Sequence, residues 1–295
     1  MSTHERPDPG PPLFREDLLA GRTALVTGGG TGIGFGIASC LARYGADVCL
    51  ASRSRDHIEP AAERIREAYG RRALAVPADV REPDSIGGAI DRAAGELGSL
   101  DILVNNAAGN FYCPTEELSP GGWRAVLGID LDGTFHASRA AFPHMKAAGF
   151  GRIVSISMTL HYRGWPRMAH ATAAKAGIDA LTRTLALEWA PHGITVNAVA
   201  PGPVPTEGVR GAFTDREEGE PDAFAAGGRH AGEYARRFIP AGRLGRPEDI
   251  GRMVTYLASP GGDWITGSIF VVDGGEWLQR GPPPEPGGGG GSGGP

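Results

Sequence analysis

The feature that most constrains the fold is a regular alternation between short apolar runs and longer amphipathic segments. Seven runs are strand-sized and lack strict alternation, as is typical of strands covered on both faces: TALVTGG, ADVCLASR, ALAVPADV, DILVNNAA, RIVSISM, ITVNAVAP and SIFVVDG. The intervening segments have helical spacing, illustrated by Ile178, Leu181, Leu185 and Trp189. This pattern predicts an α/β fold, with a single Rossmann-like doubly wound parallel sheet flanked by helices.

The length of 295 residues accommodates this fold as one domain. We predict a flexible N-terminal segment over residues 1–18, a Rossmann-fold domain over 19–280 and a disordered Gly/Pro tail over 281–295. Residues 206–243 break the rhythm of strands and helices and are rich in Gly, Glu, Arg and Ala. We interpret them as an insertion that serves as a substrate lid.

Charge and composition exclude several classes of function. The net charge is -5, and no basic patch indicates a nucleic-acid partner. The longest apolar stretches are too short to span a membrane, and the N-terminus has no signal core. Cys40 and Cys49 lie in apolar runs, which favours buried reduced thiols and a cytoplasmic location. No spacing of His, Cys, Asp or Glu predicts a metal site.

A glycine-rich turn follows the first apolar run and precedes a helical segment. Gly28, Gly32 and Gly34 have the spacing GxxxGxG. Together with Gly30, Thr31 and Ile33 of the same turn, they are predicted to contact the cofactor. Glycine lets the backbone approach a pyrophosphate, and the helix N-terminus offers amides to it. The second apolar run ends in Ser52 and Arg53, with no acid for the ribose hydroxyls. A guanidinium suits a 2′-phosphate, so we predict NADPH/NADP as the cofactor.

Four motifs, TGGGTGIG, VNNAAG, the lysine of HATAAK, and APGPVPT, occur in one order along the chain. In that order they resemble the short-chain dehydrogenase/reductase family over roughly Leu19 to Leu278. The resemblance implies a homotetramer, and it implies further cofactor contacts at Asp79, Val80, Asn106, Ala107, Lys175, Pro201, Gly202 and Thr206.

The chain departs from this family at three positions of the usual catalytic tetrad. The serine, tyrosine and asparagine of the tetrad correspond here to Met158, Ala171 and Asp130, and Lys175 is retained. The segments NNAAGNFYCPTEELS, IDLDGTF and HATAAKAGIDALTRTLALEW resemble one branch, the 2,4-dienoyl-CoA reductases of the peroxisomal type, which also lacks the tyrosine. The resemblance implies catalytic roles for Asp130 and Lys175, and it implies that Asn110 binds the thioester carbonyl.

Loss of the tyrosine fits one reaction better than another. Ketone reduction requires a positioned proton donor, which is typically worth ~10²–10⁴ in rate. Reduction of a conjugated C=C spreads charge to the thioester oxygen, where one hydrogen-bond donor is worth ~3–4 kcal/mol. We therefore predict NADPH-dependent reduction of a 2,4-dienoyl-CoA, with a water delivering the proton. Two alternatives stay open: a specialised-metabolism reductase of a C=C, C=N or carbonyl group, and a non-catalytic NADPH-binding protein.

Several residues also have plainer interpretations. Asp130 is also compatible with a helix surface, and Lys175 with a solvated helix, although the family position of Lys175 disfavours that interpretation. His170, His161 and Tyr162 are alternative acids, although a half-buried structural role is the commoner one. Aromatic residues that either line an acyl pocket or only pack are Phe111, Tyr112, Trp123 and Trp165. Arginines of the lid that either meet CoA phosphates or only solubilise a helix are Arg210, Arg229, Arg236 and Arg237.

Overall fold

A parallel sheet organises the chain. The structure is a computed structural model that describes residues 13–206 and 229–278, and within these ranges the sheet has seven strands in the order β3-β2-β1-β4-β5-β6-β7. In chain order the strands are β1 (Thr23–Thr27), β2 (Asp47–Ser52), β3 (Ala73–Pro77), β4 (Ile102–Asn105), β5 (Gly151–Ile156), β6 (Ile194–Pro201) and β7 (Ile269–Val272). The predicted single doubly wound sheet is therefore confirmed.

Helices connect the strands and cover both faces of the sheet. The main ones are α1 (Gly32–Arg43), α2 (Arg55–Tyr69), α3 (Pro83–Leu97), α4 (Pro120–Leu127), α5 (Gly133–Ala148), α6 (Ala169–Trp189), α7 (Arg229–Phe238) and α8 (Pro247–Ala258). Strands β1, β5 and β6 are buried along their whole length. Burial on both faces explains why their sequences are continuously apolar rather than alternating.

Two layers of buried side chains divide the core between the faces. Alternate residues of β1 enter different layers: Val26 packs with side chains of α1, α2 and α8, whereas Leu25 packs with those of α3, α5 and α6. Cys40 and Cys49 are buried free thiols, and burial raises the pKa of each to about 12. The two thiols are therefore protonated and unreactive near neutral pH.

The direction of strand addition reverses on either side of β1, which pairs with β2 and with β4. At such a switch point the loops at the carboxyl ends diverge and leave a crevice, where ligands bind in open α/β sheets. Phe14 packs edge-on against Tyr44 at 5.2 Å, so residues 13–18 of the predicted N-terminal segment lie against the domain. Residues 1–12 and the predicted tail over 281–295 lie outside the described residues.

Candidate active site

A cavity of about 460 Å³ opens at the carboxyl end of the sheet. It is lined by residues that follow each of the seven strands, together with the N-terminus of α1 and parts of α6 and α7. Sixteen of the residues predicted from the sequence line this cavity: Gly28, Thr31, Gly32, Ile33, Gly34, Ser52, Arg53, Asp79, Val80, Asn106, Ala107, Asn110, Lys175, Pro201, Gly202 and Thr206. Two predicted residues, Gly30 and Asp130, lie outside the lining.

The glycine turn requires its glycines for steric reasons. A Cβ on Gly34 would lie 2.2 Å from the carbonyl oxygen of Gly28, and Gly32 has a positive φ of 53°. The amides of residues 32–34 precede the first intrahelical bond of α1, which runs from Phe35 N to Thr31 O at 3.0 Å. The Thr31 side chain does not cap the helix. The turn thus presents free amides and the positive end of a helix dipole, which suits a phosphate group.

Gly30 has a different environment from the rest of the turn. A Cβ at this position would lie 2.9 Å from backbone and side-chain atoms of His57 on α2. Gly30 therefore allows α2 to approach the turn closely, and it contributes to the site through packing rather than through the cavity wall.

The end of β2 supplies the charged part of the cavity. Arg53 is exposed, and no other described residue forms an ion pair or hydrogen bond with it. Asp79 is held by Arg81 at 2.5 Å, and this hydrogen-bonded guanidinium lowers the pKa of the Asp79 carboxyl. Arg81 is a residue that the sequence analysis missed. Arg53 is therefore the guanidinium available to an anionic group in this part of the cavity.

The end of β4 is tied directly to β1. The backbone amides of Asn106 and Ala107 both donate to Oγ1 of Thr27, at 2.9 and 3.0 Å. The Asn106 side chain donates to the carbonyl oxygen of Thr27 at 3.0 Å. These bonds hold the cavity floor and the glycine turn in one arrangement.

Lys175 and Asp130 form a buried ion pair at the base of the cavity. Lys175 Nζ lies 3.2 Å from Asp130 Oδ2 and donates to the carbonyl oxygen of Ile156 at 2.8 Å. The other carboxylate oxygen of Asp130 accepts from Gly109 N at 2.8 Å. The two residues are 7% and 1% exposed, so neither is on a solvated helix surface. Lys175 lines the cavity, and Asp130 lies behind it.

A local irregularity places Asp130 in this position. The segment Gly128–Asp132 between α4 and α5 is a π-helical turn. Such a turn inserts one extra residue and rotates the side chains that follow, and it is often found at functional sites. The Asp130 carboxylate of this segment, GIDLD, is turned inward as a result, while the Asp132 carboxylate is exposed.

Apolar side chains surround Met158 and Ala171, which the resemblance matches to the hydroxyl-bearing residues of the family tetrad. Ala171 is 2% exposed and belongs to a buried cluster with Val126 and Met168. Partly buried residues that pack against this cluster are Phe111, Tyr112, Met158, Leu160 and Trp165. Trp123, also considered from the sequence, is 37% exposed and lies outside this cluster. An apolar acyl chain is the kind of group that such a surface accommodates.

Asn110 is oriented by its own backbone neighbour. Its Oδ1 accepts from Phe111 N at 2.9 Å, and the residue lines the cavity. With the acceptor atom engaged in this way, the amide NH₂ group is the part of the side chain left to donate to a ligand.

A second buried carboxylate, on Asp179, was not predicted from the sequence. Asp179 accepts from Ser157 Oγ at 2.6 Å and contacts His161 Nε2 at 2.8 Å. Asp179 stands four residues after Lys175, one helical turn further along the same face of α6, and that spacing was the available signal. The Tyr162 hydroxyl lies 3.5 Å from Asp179, and burial together with the Asp179 charge raises the pKa of Tyr162 to about 12.

His170 is fully buried beside the same apolar cluster. Its Nδ1 accepts from Ala171 N at 2.7 Å, and its ring packs edge-on against Phe111 at 4.4 Å. Burial lowers the pKa of His170, although the negative charge of Asp130 opposes the shift. The imidazole is therefore neutral near pH 7 and does not supply a cation to the site.

The predicted lid is described only in part. Its segment 207–228, which includes Arg210, lies outside the described residues. Residues 229–238 form α7, on which Arg236 and Arg237 are exposed and Tyr234 lines the cavity.

Among the described residues, no helix combines the length and the apolar composition that a membrane span needs. Over the same residues, no cluster of three or more His, Cys, Asp or Glu side chains is placed to hold a metal ion.

Comparison with known proteins shows clear similarity over most of the chain. The family model described as enoyl-(acyl carrier protein) reductase matches residues 28–276. A peroxisomal 2,4-dienoyl-CoA reductase from Danio rerio is 44% identical over 269 residues, which cover 90% of this chain and 85% of that protein. A probable 2,4-dienoyl-CoA reductase from Bacillus subtilis is 36% identical over 263 residues, covering 88% and 98% of the two chains.

Solved structures agree with this similarity. A putative short-chain alcohol dehydrogenase from Sinorhizobium meliloti has a TM-score of 0.79 at 35% identity and covers 90% of this chain and 99% of its own. A short-chain type dehydrogenase/reductase from Mycobacterium marinum has a TM-score of 0.76 at 32% identity, covering 88% and 98% of the two chains.

Proposed function

This chain belongs to the short-chain dehydrogenase/reductase family, in the group described by the enoyl-(acyl carrier protein) reductase model, and we propose that it uses NADPH to reduce a conjugated C=C bond of a 2,4-dienoyl-CoA. The similarity to proteins named 2,4-dienoyl-CoA reductases supports this substrate. The observation that carries the proposal is the Asp130–Lys175 pair at a cavity whose neighbouring tetrad positions are Met158 and Ala171.

The cavity fits a dinucleotide with a 2′-phosphate. Free amides at the N-terminus of α1 suit the pyrophosphate, and the exposed Arg53 suits the additional phosphate. Asp79 is already engaged by Arg81 and lies beyond β3 rather than at the end of β2, so it does not replace the acid of an NADH site. When bound, NADPH supplies the hydride.

The side chains around the acyl group then have three tasks. Asn110 donates to the thioester oxygen, where negative charge accumulates as the hydride reaches the chain, and such a donor is worth ~3–4 kcal/mol. Lys175, fixed by Asp130 and the Ile156 carbonyl, polarises a water that protonates the resulting dienolate at carbon. Met158, Leu160 and Trp165 keep bulk water away from the chain.

The lack of a hydroxyl at positions 158 and 171 distinguishes this reaction from ketone reduction. An alkoxide needs a proton on oxygen at once, and neither a thioether nor a methyl group is an acid. A dienolate is stabilised by delocalisation and by a neutral donor, so the proton can arrive later and at carbon. The active site is in this respect atypical of the family pattern described above.

Steady-state oxidation of NADPH tests the proposal. Purified protein is assayed with a 2,4-dienoyl-CoA, a 2-enoyl-CoA and a set of simple ketones, with NADH as the matched cofactor control. We expect turnover of the dienoyl thioester and preference for NADPH. Activity confined to ketones would overturn the proposal, and cofactor binding without turnover of any acceptor would favour the non-catalytic alternative.

We also propose a homotetramer whose contacts involve α5 and α6. Each of these helices carries an exposed large apolar side chain, Phe135 at 44% and Leu187 at 82% exposure. Sedimentation equilibrium at several concentrations measures the assembly, and a monomer at micromolar concentration would contradict it. The cytoplasmic location stays a prediction, since the name of the Danio rerio relative places that protein in the peroxisome.

A further inference from the structure

Glu276 is a buried carboxylate in the cavity that the proposed chemistry does not use. It begins the short helical turn Glu276–Leu278, which follows β7, and it is 6% exposed. The residue lines the cavity described above. Glu276 therefore places a buried carboxyl group in the wall of this cavity.

The position of Glu276 within the cavity follows from its contacts with the loop after β5. Its Oε1 lies 3.2 Å from Nη2 of Arg163, and the ring of the next residue, Trp277, lies 5.6 Å from that of Tyr162. The same loop contributes Leu160 and Trp165 to the cavity wall. Glu276 thus belongs to the acyl side of the cavity rather than to the glycine turn.

One of the two carboxylate oxygens of Glu276 accepts no hydrogen bond from the described residues. Oε2 is buried and has no hydrogen-bond partner among residues 13–206 and 229–278. Burial raises the pKa of the Glu276 carboxyl, the nearby Arg163 lowers it, and Asp273 adds to the rise. A buried unsatisfied acceptor is destabilising in itself, so its presence beside a cavity calls for a partner that the described residues do not supply.

We propose that Glu276 is a substrate-binding residue whose carboxylate accepts a hydrogen bond from an N–H or O–H donor of the acyl thioester. The inference rests on the proposed reduction of such a thioester. The terminal torsion of a glutamate is soft, so a small rotation turns the unpartnered oxygen toward the cavity while the other oxygen stays with Arg163. No bond to the reacting carbons is involved, so the residue affects binding and specificity rather than the chemical step.

Two parts of the substrate can supply the hydrogen-bond donor, and synthetic thioesters that carry only one of them distinguish the two. The pantetheine arm of a CoA thioester carries amide N–H groups, whereas a hydroxylated acyl chain carries an O–H group. A 2,4-dienoyl thioester of ethanethiol has neither donor. Comparing the CoA thioester, the ethanethiol thioester and an ethanethiol thioester with a hydroxylated chain therefore identifies which part of the substrate meets Glu276.

The test compares E276A, E276Q and R163Q with the wild-type protein. Loss of a hydrogen bond to a charged group is worth about 10- to 150-fold in binding, so E276A raises the KM of the donor-bearing thioester by that factor with little change in kcat. E276Q keeps an acceptor oxygen and loses less. R163Q removes the guanidinium that holds Oε1 and opposes protonation of the Glu276 carboxyl, so the KM of the donor-bearing thioester rises in this variant as well. The KM of the donor-free thioester is the same in all four proteins.

Two results would overturn the inference: an unchanged KM for every thioester in E276A, or an equal rise for donor-bearing and donor-free thioesters, which would assign Glu276 a structural role. Calorimetric titration of the same thioesters into the NADP-bound protein separates this inference from the proposed reaction. Binding that is weakened in E276A without turnover in the wild type would reject the reaction and support the site. No binding of any thioester to the wild type would reject both.

Discussion

Replacing Asp130 with Asn tests the central ion pair most directly. The substitution keeps an oxygen for the Gly109 amide, but it puts an NH₂ group opposite Lys175 Nζ, which now lies 3.2 Å from a carboxylate oxygen. The two side chains are 2% and 8% exposed, so water cannot compensate the stranded ammonium. Removing one partner of a buried pair costs about 3–5 kcal/mol of unfolding free energy. At about 2–4 °C per kcal/mol, Tm should fall by about 6–20 °C.

The same substitution should reduce turnover more than binding. Lys175 loses the carboxylate that fixes it, so kcat with a dienoyl-CoA should fall by ~10²–10⁴, the range for a positioned acid–base group. Asp130 lies outside the cavity lining, so the dissociation constant of NADPH, measured by fluorescence, should change little. Asp132→Asn is the matched control, because that carboxylate belongs to the same motif and is exposed.

A double-mutant cycle separates stability from catalysis. Lys175→Met alone leaves Asp130 as an unpaired buried carboxylate, whereas the Asp130→Asn, Lys175→Met protein contains no buried charge at this position. We expect the double variant to be more stable than either single variant and inactive. Wild-type turnover in Asp130→Asn would refute a role for this pair in the reaction, and additive losses of stability would refute the direct interaction between the two side chains.

Three further predictions follow from the site. Arg53→Ala should raise the KM for NADPH by about 10- to 150-fold and leave the KM for NADH unchanged. An equal rise in KM for both cofactors would contradict the 2′-phosphate assignment. Arg55→Ala is the control, because Arg55 is also exposed. Asn110→Asp keeps the size of the side chain but removes its NH₂ donor. The rate constant of the reduction step, measured in single-turnover experiments, should therefore fall by ~10²–10³. Burial lowers the pKa of His170 in the folded state, so His170 takes up a proton on unfolding at low pH. The free energy of unfolding should therefore decrease as pH falls below about 6.5. In His170→Gln, the urea midpoint should decrease less between about pH 7.5 and 5.5.

The fold and the geometry of the glycine turn were predictable because their signals are local. Each strand is a contiguous apolar run, and the glycine turn is a contiguous motif whose steric demands are visible at Gly34. The order of the elements then follows from the handedness and shortness of parallel connections. The resemblance supplied the other predicted cofactor contacts, and every predicted contact except Gly30 lines the cavity.

The side of the cavity that we assign to the acyl chain was less predictable because it is assembled from distant segments. Glu276 and Arg163 are 113 residues apart in the sequence, and nothing in either local sequence indicates their contact. Asp179 shows a helical spacing to Lys175, but its partners Ser157 and His161 come from the loop after β5. Side chains in such loops have no periodicity that would predict their direction.

Asp130 illustrates the division between sequence and tertiary structure. The sequence alone determined the residue identities: an aspartate at position 130, a lysine at position 175, and residues without a hydroxyl at positions 158 and 171. Whether that acid faced solvent or Lys175 depended on the π-helical turn at Gly128–Asp132 and on how α6 packs beside it. Residue identity limits the available chemistry, whereas burial and pairing depend on non-local packing, because a charge can be held away from water only where other parts of the chain surround it.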